Sequence, residues 1–280
     1  MCFGIEVDMI GINSELSSKY EALRSELSGL GSVAVAFSGG ADSTLLLYAA
    51  HEVLKDKVLA VTSSSCFFPG RDLEEAGAFC RERGIRHEIL NNDPLSVKGI
   101  SANHTDRCYL CKKTIFEAII KEARKQGIVH VAEGSNVDDS KDYRPGSKAV
   151  KELGVRSPLL DAGLSKEEVR LLSKSLDLPS WDKPQAACLA SRVPYGDQLT
   201  QEKLHMIEMA EDFLHDEGFA VCRVRHHGDV ARIETDPEMI ARFADTELRG
   251  RVYNRLREIG YAYVAVDLLG YSMGSLNKVL

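Results

Sequence analysis

Short apolar runs alternate with amphipathic segments through the first two-thirds of the chain. Val33–Phe37, Val58–Thr62, Arg86–Leu90 and Ile128–Ala132 have the length and character of strands, and the Val-rich first one reads as fully buried. Asn13–Leu30, Leu45–Leu54, Arg71–Arg83 and the segment opening at Asp106 and running to Lys125 read as helices. Ser14 is placed as a cap, and Gly31, Gly84 and Gly127 as stops. Val155–Leu159 is expected to be a short last strand, and Ser165–Leu176 a helix opened by the capping box Ser165-Lys166-Glu167-Glu168. Strands and helices alternating at this spacing predict an α/β fold, a parallel sheet with helices on both faces. The pattern breaks over Trp181–Gly196, which has two prolines, a terminal glycine and no period. Beyond it, Thr200–Gly218 is an amphipathic helix. Ala220–Arg225 and Val230–Glu234 form a hairpin through residues 226–229, with His226 and His227 in the turn. Pro237–Ile259 reads as one long helix stopped by Gly260, and Ala262–Leu268 as a strand. Two domains follow, residues 1–196 and a smaller α+β domain, 197–280. The second is too small to be very stable alone. It is expected to pack on the first or on another copy, making a homo-oligomer.

Composition adds limits. The 280 residues are those of an ordinary soluble protein, and no apolar run approaches the ~20 residues that span a membrane. Met1–Ile12 carries Glu6 and Asp8 and no basic region, so it does not read as an export signal, and a cytoplasmic location is expected. A net charge of -7 argues against a large nucleic-acid surface, tRNA included.

The turn after the first strand reads Ser38-Gly39-Gly40-Ala41-Asp42-Ser43. A strand that turns through glycines into a helix gathers backbone N–H groups in one small space, where the helix dipole adds positive charge. Such a turn cradles phosphate. It is no Walker loop, since no Gly-Lys-Ser/Thr follows. It resembles the pyrophosphate (PP) loop of ATP pyrophosphatases, which release pyrophosphate and transfer AMP to an oxygen of the substrate. Glu133-Gly134-Ser135-Asn136 and the acidic residues after it end another strand, where they could hold ribose hydroxyls or the magnesium ion of ATP.

The chain has seven cysteines. Cys80 and Cys222 sit among apolar residues and read as packing, while Cys2 and Cys66 have no assignable role. Cys108 and Cys111 form a C-x-x-C at a helix start, where thiolates are favoured. That pair alone fits half a zinc site, a redox pair or part of an iron–sulfur cluster. Cys188 lies in the irregular segment. A structural zinc site completed by a residue such as His104 is the plain alternative. Arg223 and Arg225 stand i, i+2, so both leave one face of a strand, an arrangement that suits a phosphate; a solvated edge strand would show the same pattern.

Together, Ser38–Ser43, Cys108-Tyr-Leu-Cys111-Lys, Glu133-Gly-Ser-Asn, Arg144-Pro-Gly and Lys183-Pro-Gln-Ala-Ala-Cys188-Leu-Ala-Ser-Arg-Val-Pro-Tyr-Gly196 resemble the LarE family. The resemblance runs from about Glu15 onward and is most specific around Cys188. It implies an ATP-dependent sulfur transferase that adenylates a carboxylate of pyridinium biscarboxylic acid mononucleotide and converts it to a thiocarboxylate for the nickel-pincer cofactor of lactate racemase. By the same resemblance Ser38, Gly39, Gly40, Asp42, Ser43, Glu133 and Gly134 would bind ATP and its magnesium, with Asp42 catalytic. Arg223, Arg225 and Glu234 would bind the substrate phosphate. In one branch of the family the residue matching Cys188 gives up its own sulfur. In the other, three cysteines hold a 4Fe-4S cluster carrying an extra sulfide, and Cys108, Cys111 and Cys188 match that branch. Free sulfide or a cysteine desulfurase would then supply sulfur. A tRNA thiolase of the same superfamily and a non-enzymatic nucleotide-binding module are the competing readings.

Overall fold

The computed structural model describes residues 13–141, 145–184 and 187–272. These fall into two compact units that interleave along the chain: residues 13–64, 70–92 and 108–184 form the first, and residues 65–69, 93–107 and 187–272 the second.

The first unit follows the expected alternation: α1 (Ser14–Leu30), β1 (Val33–Ala36), α2 (Ala41–Leu54), β2 (Val58–Ser64), α3 (Gly70–Arg83), β3 (Arg86–Asn91), α4 (Arg107–Lys125), β4 (His130–Ala132), α5 (Pro145–Glu152), α6 (Pro158–Asp161) and α7 (Lys166–Ser175). The strands are all parallel, in the order β3-β2-β1-β4. Alternation along each strand feeds two cores. Val33, Val35, Val58, Ala60 and Ala132 face a layer that includes Leu23 and Leu27 of α1, Leu46 of α2 and Leu172 of α7. Ala34, Leu59, Val61 and Val131 face Phe116, Ile119 and Ala123 of α4 and Val150 of α5. Helices therefore cover both faces, as a parallel sheet requires.

Strand order reverses at β1. The chain runs from β1 out to β3, then crosses back to place β4 on the other side of β1. In an open α/β sheet the crevice at such a reversal, at the carboxyl ends of the strands, is where ligands sit. Here it brings together the Ser38–Ser43 loop after β1 and the Glu133–Asn136 tip after β4.

Several local expectations are corrected. Asn13, not Ser14, caps α1, its Oδ1 accepting from the Leu16 amide at 2.8 Å. The helix after β1 starts at Ala41 rather than Leu45, because Gly40 already serves as its N-cap. Val155–Leu159 is no strand: one parallel bridge joins Arg156 to Ala132, and Pro158 then opens α6. The capping box at Ser165 is present as read. Tyr143 and Arg144, Gln185 and Ala186, and Met1–Ile12 with Cys2 lie outside the described residues.

In the second unit, α8 (Gln201–Asp216), β5 (Cys222–His227), β6 (Val230–Thr235), α9 (Thr246–Ile259) and β7 (Tyr263–Val266) build a mixed sheet in the order β5-β6-β7. β5 and β6 are antiparallel, and β6 and β7 parallel. Cys222, Val224, Ala231 and Ile233 pack against Ala210 and Leu214 of α8 and Val252 and Leu256 of α9. The hairpin turn is tighter than expected, and His226 and His227 belong to β5. His226 is buried, its Nδ1 3.3 Å from the Tyr261 hydroxyl. The long helix read over 237–259 is two elements. A 3-10 stretch, Pro237–Ala244, ends at Asp245, whose carboxylate caps α9 by accepting from the Leu248 amide at 2.7 Å. No helix among the described residues is long and apolar enough to cross a membrane.

Candidate functional site

In the first unit the phosphate-type loop is held by its own hydroxyls. Ser43 Oγ accepts from the Ser38 amide at 3.3 Å, lies 3.1 Å from Ser38 Oγ, and donates to the Gly40 carbonyl at 3.1 Å. Gly39 has φ +72°, a left-handed conformation that disfavours any side chain. Gly40 caps α2 without a side-chain acceptor. First-turn amides have no intrahelical partner, so they are available to an anion.

The β4 tip lies directly on this turn. A Cβ on Gly134 would stand 3.0 Å from the Ser43 amide nitrogen and 3.1 Å from Asp42 Cβ. Glu133 is buried and engaged inside the protein. It accepts from the Ser135 amide (3.1 Å), Ser135 Oγ (2.9 Å) and Ser157 Oγ (2.7 Å), with Lys112 Nζ 3.8 Å away. These bonds shape the tip. Asn136 Nδ2 donates to Asp42 Oδ1 at 3.0 Å, and Lys166 Nζ donates to Asp42 Oδ2. Lys166 is the first residue of α7, and its amide donates to Asp138 Oδ2 at 2.9 Å. Sequence reasoning noted that the loop lacks a lysine. It missed that α7 delivers one to Asp42, although the capping box that fixes Lys166 was legible. Lys183 donates to Asp72 (2.8 Å) and Glu75 (2.7 Å) at the start of α3. Burial opposes its charge, but those two carboxylates outweigh it and raise its pKa.

In the second unit Cys188 is half-buried and precedes a 3-10 turn, Leu189–Arg192. The loops after β2 and β3 form its bed. Leu189 N donates to the Phe67 carbonyl at 2.8 Å, and Asn103 Nδ2 donates to the Pro194 carbonyl at 2.7 Å. Arg223 and Arg225 leave one face of β5, as read, yet both are buried rather than solvated. Arg225 donates through Nε and Nη2 to Glu234 at 3.0 and 2.6 Å. Arg223 stands opposite Glu234 in the β5–β6 register. Burial and the neighbouring Arg192 lower the pKa of Arg223, against the opposing pull of Glu211.

The chain is 41% identical over 265 residues to an uncharacterised protein of Synechocystis, covering 95% of this chain and 99% of that one. It is 37% identical over 266 residues to the pyridinium-3,5-bisthiocarboxylic acid mononucleotide synthase of Lactiplantibacillus plantarum, covering 95% and 96%. The chain belongs to the LarE family. An uncharacterised protein of Methanocaldococcus jannaschii is 27% identical over 236 residues, 84% of this chain and 89% of that one. No family model matches.

In this LarE-family chain the expected residues fall into three places. Ser38, Gly39, Gly40, Asp42, Ser43, Glu133 and Gly134 adjoin one another at the strand reversal. Arg223, Arg225 and Glu234 share one face of the hairpin. Cys108 and Cys111 occupy the first turn of α4 in the first unit, and Cys188 belongs to the second. All three thiols are half-buried. Cys80 and Cys222 are buried as read, and burial pushes the Cys80 thiol up to about 12. By donor type alone, a C-x-x-C pair in the first turn of a helix suits thiolate coordination of a metal. Among the described residues no three His, Cys, Asp or Glu side chains lie grouped as a metal site.

Proposed function

We propose that this chain converts the carboxylates of a pyridinium biscarboxylic acid mononucleotide to thiocarboxylates, at the expense of ATP, in nickel-pincer cofactor biosynthesis. The likeness to the Lactiplantibacillus plantarum synthase along 96% of that protein carries the reading. The lysine-free loop at the strand reversal and the buried arginine pair support it.

A carboxylate oxygen attacks the α-phosphorus of ATP, and pyrophosphate leaves. The acyl-adenylate then has a good leaving group, AMP, where the carboxylate had only oxide. A sulfur nucleophile attacks the acyl carbon, and AMP departs with the oxygen. Repetition on the second carboxylate gives the bisthiocarboxylate. The loop amides and Lys166 balance charge on the departing pyrophosphate. Asp42 orients Lys166 and the loop, and magnesium enters on the phosphates of ATP. Arg223 and Arg225 bind the mononucleotide phosphate.

Cys108, Cys111 and Cys188 would hold a four-iron four-sulfur cluster, which would supply exchangeable sulfide. The second reading, sulfur taken from Cys188 itself, is favoured by the half-exposed position of that thiol on its own turn. ATP–pyrophosphate exchange that requires the mononucleotide tests the adenylation step; exchange driven by tRNA instead would point to the thiolase.

A further inference from the structure

Guanidinium groups hold the backbone carbonyls on both sides of Cys188. Arg192 Nη1 donates to the Ala187 carbonyl at 2.6 Å and the Cys188 carbonyl at 3.0 Å. Arg107 Nη1 donates to the Ala190 carbonyl and Arg225 Nη1 to the Ser191 carbonyl, each at 3.0 Å. Ser191 Oγ adds a bond to the Cys188 carbonyl at 2.7 Å. The other edge of Arg192 grips Glu211, with Nε on Oε1 at 2.9 Å and Nη2 on Oε2 at 2.8 Å. Glu211 Oε1 also accepts the Val224 amide at 2.8 Å. Val224 is the residue between Arg223 and Arg225.

Both members of the pair are buried, at 3% and 6% side-chain exposure. Glu211 is pulled below the usual carboxylate range: burial opposes this, but Arg192, Arg223 and the Val224 amide outweigh it. A buried ion pair is seldom better for stability than apolar side chains of the same volume. Fold stability alone is therefore a weak reason for this one. Its geometry suggests another. A planar guanidinium can serve a carboxylate on one edge and carbonyls on the other, which a lysine cannot do.

We infer that Arg192 and Glu211 are positioning residues that fix Cys188 relative to the hairpin arginines, so that phosphate binding and sulfur delivery stay in register. The inference rests on the roles given to Cys188, Arg223 and Arg225 under the proposed function. A continuous path of hydrogen bonds runs from the Val224 amide through Glu211 and Arg192 to the carbonyl of Cys188.

Arg192→Lys in the full chain is the test, since it keeps a charge for Glu211 but cannot also hold both carbonyls. Ser191→Ala is the milder second variant. Amide hydrogen exchange over residues 187–193 should quicken about tenfold or more in Arg192→Lys, because bonds to a charged donor are lost, and less in Ser191→Ala. Exchange in α8 and β5 should stay as in wild type. In turnover, kcat should fall about tenfold or more while KM for the mononucleotide stays within about twofold. Unchanged exchange over 187–193, exchange quickened equally throughout the unit, or unaltered kcat despite local loosening would each overturn the inference. Exchange is read without substrate. A wild-type chain that makes no thiocarboxylate would therefore overturn the functional reading, whereas unchanged exchange overturns the positioning role by itself.

Discussion

Lys166 Nζ donates to Asp42 Oδ2, joining the first turn of α7 to the first turn of α2 across 124 residues of sequence. The ammonium that the loop lacks in sequence thus reaches the carboxylate beside it. Lys166→Met should slow ATP cleavage by about ten- to a hundredfold, the worth of a charge-assisted contact of about 1.5–3 kcal/mol. Lys166→Arg should restore part of the rate, and Asp42→Ala should abolish it. A wild-type rate of pyrophosphate release in Lys166→Met would remove this lysine from the chemistry.

Arg223→Ala should raise KM for the mononucleotide about tenfold or more and leave ATP binding unchanged. Arg225→Ala should do the same and also lower stability by about 3 kcal/mol, because it strips a partner from Glu234, which is 1% exposed. Substrate titrations and chemical denaturation of both variants separate the two effects. Unaltered KM in the double variant would take the hairpin out of the substrate site.

Cys188 should survive turnover. Protein purified without oxygen should bind iron and absorb visible light, and Cys→Ala at 108, 111 or 188 should remove both signals. Mass spectrometry after reaction should find an intact cysteine at 188. Dehydroalanine at that position, with Cys108→Ala and Cys111→Ala fully active, would establish the sacrificial route instead.

Acid should weaken the first unit through His87. Its Nε2 lies 2.7 Å from Thr62 Oγ1, which spends its own proton on the Phe37 carbonyl at 2.8 Å. The histidine must therefore donate from Nε2. Burial lowers its pKa below the ordinary value of 6.5. The unfolded chain then binds a proton more readily than the folded one. Stability is full above about pH 6.5 and falls as pH drops through the lowered folded pKa. His87→Gln, which keeps a donor for Thr62, should flatten that fall in thermal unfolding between pH 7 and 5. An identical slope would assign the acid effect to other groups, among them His226 and His227, whose pKa values burial also lowers.

What the sequence revealed depended on how local the physics was. β1 was legible because burial on both faces demands an unbroken apolar run, and the loop because only glycines make that turn. The helix break at Asp245 was not, since the apolar period continues across it and only the cap marks a new start. Reading residues 226–229 as the turn placed His226 outside the strand, whereas Gly228 and Asp229 alone suffice for the tight hairpin. The arginine pair on β5 followed from i, i+2 spacing, but its burial did not, because Glu234 and the Cys188 turn that cover it lie elsewhere in the chain. Lys166, Asn103 and Arg107 were missed for the same reason: their roles arise from tertiary contacts with no periodic signature.

The most direct measurement is product analysis after the chain is mixed, without oxygen, with ATP, magnesium, the biscarboxylate mononucleotide and sulfide. AMP and pyrophosphate should form in step with sulfur entering the mononucleotide, at up to two sulfurs per nucleotide. ADP and phosphate as products, or ATP cleavage with no sulfur in the nucleotide, would contradict the proposed activity.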